Sequence, residues 1–91
     1  MNSFQNDFLS AVKNIQEFCV SRALCNDTKY ETKEEEYYSI TSDVIYSIME
    51  LLDGYGDFRI GKIGIVNIDT GETIKDPFIE LHDKVTDYIK E

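Results

Sequence analysis

The stretch from Ile40 to Gly56 constrains the fold most, because it is the most apolar and most regularly spaced part of the chain and stops at two glycines. Its apolar residues recur every three or four positions, which is the period of an amphipathic helix. Gly54 follows Asp53 at a point where helices commonly end in a left-handed residue. The pattern therefore predicts a central helix. The expected core stripe of this helix consists of Tyr37, Ile40, Thr41, Val44, Ile48, Leu51 and Leu52.

This central helix is predicted to be the second of two. Thr32 and Glu35 have the spacing of a capping box, so we expect the helix to begin near Lys33. A first helix is predicted from Ser3 to about Asn26, with Ser3 as its N-cap. The apolar positions that indicate it are Phe4, Phe8, Ala11, Val12, Ile15, Phe18, Cys19 and Ala23. Because the loop between them is short, the two helices should be antiparallel neighbours.

Beyond the glycines the hydrophobic period falls toward two, which favours a β-hairpin. We expect a strand at about 60–68 and a short return strand at 73–75. Residues 69–71, Asp-Thr-Gly, predict a turn with glycine in the left-handed bulge position. In that register Val66 would lie opposite Ile74.

A third helix is predicted from Asp76 and Pro77 to the C terminus, since aspartate can cap a helix and proline suits its first position. The predicted fold is therefore α+β: an antiparallel helix pair, a β-hairpin and a short C-terminal helix. Residues 1–91 are expected to form a single small globular domain.

The charge balance restricts the classes of partner. Eighteen acids and nine bases give a net charge of -9 and a pI near 4.4. Such a surplus repels the phosphates of nucleic acids and anionic lipid surfaces, so we expect neither nucleic acid nor membrane as a partner. No segment approaches the ~20 apolar residues that span a bilayer, and the N-terminal residues lack the pattern of a signal peptide. We expect a cytoplasmic protein.

Candidate motifs for metal or catalytic chemistry fail on spacing. Asp53 and Asp57 surround Gly-Tyr-Gly, but an EF-hand loop requires glycine at position six and glutamate at twelve, where this chain has Phe58 and Gly64. His82 is the only histidine, and its neighbours do not have the spacing of metal ligands. We therefore expect no metal, no cofactor and no catalytic residue.

Six tyrosines among many acids suggest a surface that binds another protein, because tyrosine joins an apolar ring to a polar tip. The predicted partner-binding residues are Tyr37, Tyr38, Tyr46, Tyr55, Asp53, Asp57 and His82. The favoured function is a non-enzymatic module that covers a basic site on a protein partner. Toxin-neutralising immunity proteins and phage-encoded inhibitors work in this way, and the comparison rests on size and charge alone.

Two alternative functions compete with this interpretation. A structural or regulatory homodimer would pair the hairpin edge or a tyrosine-lined helix face across a two-fold axis. A weaker alternative is an enzyme that uses His82 with nearby carboxylates.

Overall fold

Two long helices dominate the structure, a computed structural model in which residues 1–26, 29–57 and 59–90 are described. Helix α1 spans Ser3–Cys25, α2 spans Lys33–Leu52, and α3 is a short helix at Leu81–Val85. The described residues form no β-strand, so the predicted α+β class is wrong and the fold is helical.

The starts of α1 and α2 follow from their capping residues. Asn2, rather than the predicted Ser3, is the N-cap of α1: its Oδ1 accepts from the Gln5 N–H at 2.8 Å, and Gln5 Oε1 accepts from the Asn2 N–H at 2.8 Å. For α2 the predicted cap is confirmed, since Thr32 Oγ1 accepts from the Glu35 N–H at 3.1 Å. In a complete capping box the Glu35 carboxylate would accept from the N–H of the N-cap, Thr32. Here it accepts from the N–H of the preceding residue, Glu31, at 3.2 Å.

The two long helices pack side by side in opposite directions, as predicted. Near the end of α1, Arg22 lies 3.8 Å from Asp43 of α2. One helical turn earlier, the Cys19 thiol lies beside Ser47. Earlier still, Phe8 lines a common groove with residues at the end of α2. Positions later in α1 therefore contact positions earlier in α2, as expected for antiparallel helices.

The buried apolar core is small. Among the described residues it consists of Ala11, Cys19, Leu51, Leu52 and Leu81. Leu51 and Leu52 are inside as predicted, whereas Ile48 is only half-buried. The chain exposes 6809 Å², compared with about 5,400 Å² expected for a folded monomer of this mass. Its radius of gyration of 15.1 Å likewise exceeds the roughly 12 Å expected for a compact chain of this length.

The predicted strand at 60–68 is absent because its first half bonds elsewhere. The Ile63 N–H donates to the Leu52 carbonyl at 3.1 Å, which ties the segment to the end of α2 instead of to a neighbouring strand. Gly61 has a φ of 71°, and this conformation interrupts an extended chain. The segment is therefore a loop held against α2.

The second half of the predicted hairpin keeps its turn but forms no return strand at 73–75. A single antiparallel bridge joins Val66 to Thr73, one residue away from the predicted Val66–Ile74 pairing. Gly71 has a φ of 78°, the left-handed conformation expected at this position. Ile68 is 91% exposed, so the turn lacks the apolar cover that a two-stranded hairpin needs for stability.

The third helix was predicted four residues too early. It begins at Leu81, and the residues after Pro77 are not helical until that point. The local signal at Asp76 and Pro77 is overridden by distant hydrogen bonds from Asp53, which cap the helix at Leu81 and His82.

The end of α2 requires glycine at position 54. Gly54 has a φ of 96°, and a Cβ there would lie 2.7 Å from the Lys62 side chain and 3.2 Å from its backbone nitrogen. Because Lys62 immediately precedes the Ile63 amide that bonds to α2, the contact cannot relax without moving the loop. Replacement of Gly54 should therefore disturb both the helix end and the loop.

We expect Gly54→Ala to lower the free energy of unfolding by more than the ~1–2 kcal/mol that positive φ alone costs a non-glycine residue. The matched control is Gly61→Ala, which has the same sign of φ but no atom within 4 Å of the added Cβ. Urea denaturation of both variants measures the difference. Equal losses would show that the Lys62 contact has no energetic effect.

Candidate functional site

Asp53 is the residue that joins α2 to α3. It follows the last residue of α2, and its side chain is fully buried. Its Oδ1 accepts from the Leu81 N–H at 3.1 Å, and its Oδ2 accepts from the His82 N–H at 2.9 Å. These are the free amides at the start of α3, and the helix has no side-chain cap of its own from Glu80. Asp53 is therefore the cap of α3, supplied from 28 residues away.

The side chains of Lys75 and His82 both donate to this buried carboxylate. The Lys75 ammonium lies 2.5 Å from Oδ1, and Nδ1 of His82 lies 2.6 Å from Oδ2. Burial alone would raise the pKa of Asp53, but the hydrogen bonds from Lys75, His82 and Leu81 outweigh it and hold the pKa well below its ordinary value. Asp53 is therefore ionised at neutral pH.

His82 lies between two tyrosines and three acids. The hydrogen bond that His82 donates to Asp53 raises the pKa of His82, against the opposing effect of burial, and the charges of Asp83, Asp53 and Glu80 raise it further. The imidazole ring meets Tyr46 and Tyr55 edge to face, with ring centroids 5.7 and 5.3 Å away. These contacts hold the ring in one orientation, with Nδ1 toward Asp53.

Glu80 has a carboxylate oxygen without a hydrogen-bond partner among the described residues. The Tyr55 hydroxyl donates to Oε1 at 3.3 Å, while Oε2 is buried, unbonded and 3.8 Å from Nδ1 of His82. A buried acceptor without a donor is costly, so a movement of the 24% exposed Glu80 side chain toward a donor on another molecule would relieve that cost. Here we call the set Tyr46, Asp53, Tyr55, Lys75, Glu80 and His82 the His82 cluster.

The His82 cluster contains atoms that could approach a metal ion. Asp53, Glu80 and His82 each offer one ligand atom, and these atoms lie within 4.8 Å of one another. However, the Lys75 ammonium already lies 2.5 Å from Oδ1 of Asp53, and Nδ1 of His82 is hydrogen-bonded to the same carboxylate. A metal would have to displace an ammonium group and a hydrogen bond, so the arrangement favours internal neutralisation over metal binding.

A catalytic role for His82 gains no support from its hydrogen bonds. With Nδ1 on Asp53, the free ring nitrogen is Nε2, and its charged neighbour is Asp83 Oδ1 at 3.4 Å. Within the described part of the chain, no hydroxyl or thiol hydrogen-bonds to this nitrogen. The pair of Asp53 and His82 thus orients the imidazole with Nε2 toward Asp83.

The structure brings together some of the predicted partner-binding residues and separates others. Tyr46, Tyr55, Asp53 and His82 meet in the His82 cluster, whereas Tyr37, Tyr38 and Asp57 lie outside it.

The three separated residues have other surroundings. Tyr37 and Tyr38 line a surface groove near the start of α2, where Lys90 lies 4.7 Å from the Tyr38 ring centroid. Asp57 pairs with Arg59 at 2.7 Å, and hydrogen bonds from Arg59 lower the pKa of Asp57 to about 2. Asp57 therefore stabilises a local turn and takes no part in the His82 cluster.

Sequence reasoning missed Lys75 and Glu80. One signal could have indicated them: Asp53 stands at the C-terminal end of α2, where the helix dipole disfavours a carboxylate. An acid at that position needs cations or N–H donors from another segment. The sequence alone does not say which lysine or which backbone amides provide them.

No protein-family model, no curated protein and no solved structure matches the chain. Among the helices described, none has both the length and the apolarity needed to cross a membrane. The His82 cluster is therefore interpreted from its own geometry.

We expect Asp53→Asn to lower the free energy of unfolding by about 3–5 kcal/mol, because it leaves the largely buried Lys75 without its charge partner. The matched control is Glu17→Gln, which neutralises an exposed acid paired with Lys13 on α1 and should change stability little. Urea denaturation at neutral pH provides the measurement. A loss in Asp53→Asn no larger than in the control would contradict the stabilising charge pairing of Asp53 with Lys75.

We expect His82 to make stability depend on pH. Because its pKa is raised by folding, its contribution is fully present below the unfolded value of about 6.5 and is lost as pH rises through the folded pKa. Asp53 acts in the opposite sense: its lowered pKa gives stability above about 3.9 that is lost in strong acid.

The difference in unfolding free energy between the wild type and His82→Gln should therefore shrink as pH rises from 6 to 9. Urea melts across this range measure it, and subtracting the variant removes contributions from other titrating groups. A pH-independent difference would show that protonated His82 is not stabilised by Asp53, Glu80 and Asp83.

Proposed function

We propose that this chain is a non-enzymatic, cytoplasmic protein-interaction module that binds a basic side chain of a protein partner at the His82 cluster. The observation that carries this proposal is the unbonded Oε2 of Glu80, which is buried beside a histidine and a tyrosine. A guanidinium or ammonium group from a partner would supply the donor that this oxygen lacks.

The surroundings of Glu80 suit a basic side chain. Asp83 lies beside His82, and burial together with the charges of Glu50 and Asp83 raises the pKa of Tyr46, which indicates a negative potential around that ring. The charge of Glu80 raises the pKa of Tyr55 in the same way. Arginine combines a planar charge that pairs with carboxylates and a face that stacks on aromatic rings. A site with carboxylates and tyrosines offers both contacts.

The charge of the whole chain supports the same kind of partner. A net charge of -9 attracts a basic surface at long range and raises the rate of encounter, with a strong dependence on ionic strength. The Glu80 carboxylate would then determine where on the acidic surface the partner binds.

The probe for this proposal is a blocked arginine-rich peptide, added to the isotopically labelled chain and followed by NMR. We expect resonances of His82, Tyr46 and Tyr55 to shift first, with a dissociation constant that rises steeply with added salt. Glu80→Gln should weaken binding by about tenfold, since it removes one charge-assisted hydrogen bond of roughly 1.5 kcal/mol.

Glu17→Gln is the matched control, because it neutralises an exposed acid that pairs with Lys13 on α1, outside the His82 cluster. It should change the affinity only slightly. Two results would contradict the proposal: no shifts at the His82 cluster, or equal weakening by both variants, which would indicate nonspecific attraction to total charge.

A further inference from the structure

A second surface of α2 is apolar and only partly covered by the rest of the chain. Tyr37, Thr41, Val44, Ile48 and Leu52 follow one another along one face, and they line three successive surface grooves. The sequence predicts this face to be core, but Tyr37 is 61% exposed, and Thr41 is exposed as well. We call these five residues, with the α1 residues that share their grooves, the seam face.

The grooves of the seam face differ in shape along the helix. At the end of α2, a cavity of about 530 Å³ is lined by apolar side chains that include Phe4, Leu9, Leu52 and Ile65. Toward the start of α2, the ring of Tyr37 projects into solvent. The face thus has an open cavity at one end and an exposed aromatic ring at the other.

The seam face carries little of the chain's negative charge. Among the described residues that line its three grooves, the charged ones are Glu34 at one end and Lys13 near the middle. The other acids lie elsewhere, including the His82 cluster on another side of α2. A second acidic molecule could therefore cover this face without placing rows of carboxylates against each other.

The exposed area matches what a dimer would bury. The chain exposes about 1,400 Å² more than expected for a folded monomer of its mass. Obligate homodimers bury about 2,000–5,000 Å² in total, or about 1,000–2,500 Å² per chain, mostly from apolar surface. The exposed side chains of Phe4, Leu9, Tyr37 and Ile65, which line the grooves of the seam face, contribute to this excess.

We infer that the occupant of the seam face is a second copy of this chain, packed so that the two α1–α2 pairs form a four-helix arrangement. Tyr37 and Leu52 lie roughly 10 to 12 Å on either side of Val44 at 1.5 Å per residue. A two-fold axis beside Val44 therefore brings Tyr37 of one copy to the level of the 530 Å³ cavity of the other. Because a two-fold axis relates each copy to the other in the same way, Tyr37 of each copy fills the cavity of its partner copy.

This inference does not depend on the proposed function, because the seam face and the His82 cluster use different residues of α2. Tyr46 and Asp53 belong to the cluster, whereas Tyr37, Val44 and Ile48 belong to the seam face. A dimer formed in this way leaves the cluster accessible.

Sedimentation equilibrium from micromolar to millimolar concentration tests the dimer. We expect the mass to approach twice 10.5 kDa at high concentration. Tyr37→Asp should raise the dimer dissociation constant at least about tenfold, because it places a charge in an apolar cavity. Its exposure in the single chain means that the fold should tolerate the change.

Tyr88→Asp is the matched control, since Tyr88 is 87% exposed and lines none of the three grooves. It should leave the dissociation constant unchanged. A second variant, Val44→Cys in a chain that also carries Cys25→Ser, should form a disulfide between copies on oxidation, because the axis passes beside residue 44.

Three outcomes would overturn the inference. A monomer at all concentrations would show that the seam face is not covered by a second copy. Equal weakening by Tyr37→Asp and Tyr88→Asp would place the contact elsewhere. A dimer that forms no disulfide through residue 44 would rule out the proposed axis.

Discussion

The buried carboxylate of Asp53 is the interaction on which the arrangement beyond α2 depends. It stands at the negative end of the α2 dipole, so it is tolerated only because another segment brings positive charge to it. Lys75 supplies that charge, while His82 and the first amides of α3 complete its hydrogen bonds. One acid thus fixes the end of a helix, the start of another and the path of the loop between them.

Sequence reasoning succeeded where the determining contacts are local and failed where they are distant. The cap at Thr32 and the glycine after Asp53 act within a few residues, and both were predicted correctly. The hairpin and the start of α3 were wrong because the Ile63 amide bonds to Leu52 and the cap of Leu81 comes from Asp53. Of the candidate site, the pairing of Asp53 with His82 could not be inferred, since no local spacing encodes a contact across 29 residues.

Two faces of helix α2 differ in chemistry, one polar and charged and the other apolar. One side carries Tyr46 and leads to the charged His82 cluster, while another carries Tyr37, Val44 and Ile48 along open apolar grooves. A helix with an apolar stripe normally turns it toward its own core. Here the loop that follows Gly56 is held at the end of α2 by Ile63, so it leaves Tyr37 and Thr41 of the stripe exposed and Val44 and Ile48 only half-buried. The path of that loop is what makes a second binding surface available.

The distant cap of α3 also predicts the order in which the helices form during folding. The α1–α2 pair needs only contacts across one short loop, whereas α3 gains its cap after a loop of 28 residues has closed on Asp53. A five-residue helix has too few internal hydrogen bonds to persist alone. Its amides should therefore be the last to become protected from hydrogen exchange during folding and the first to lose protection in the native state, together with the segment that carries Lys75.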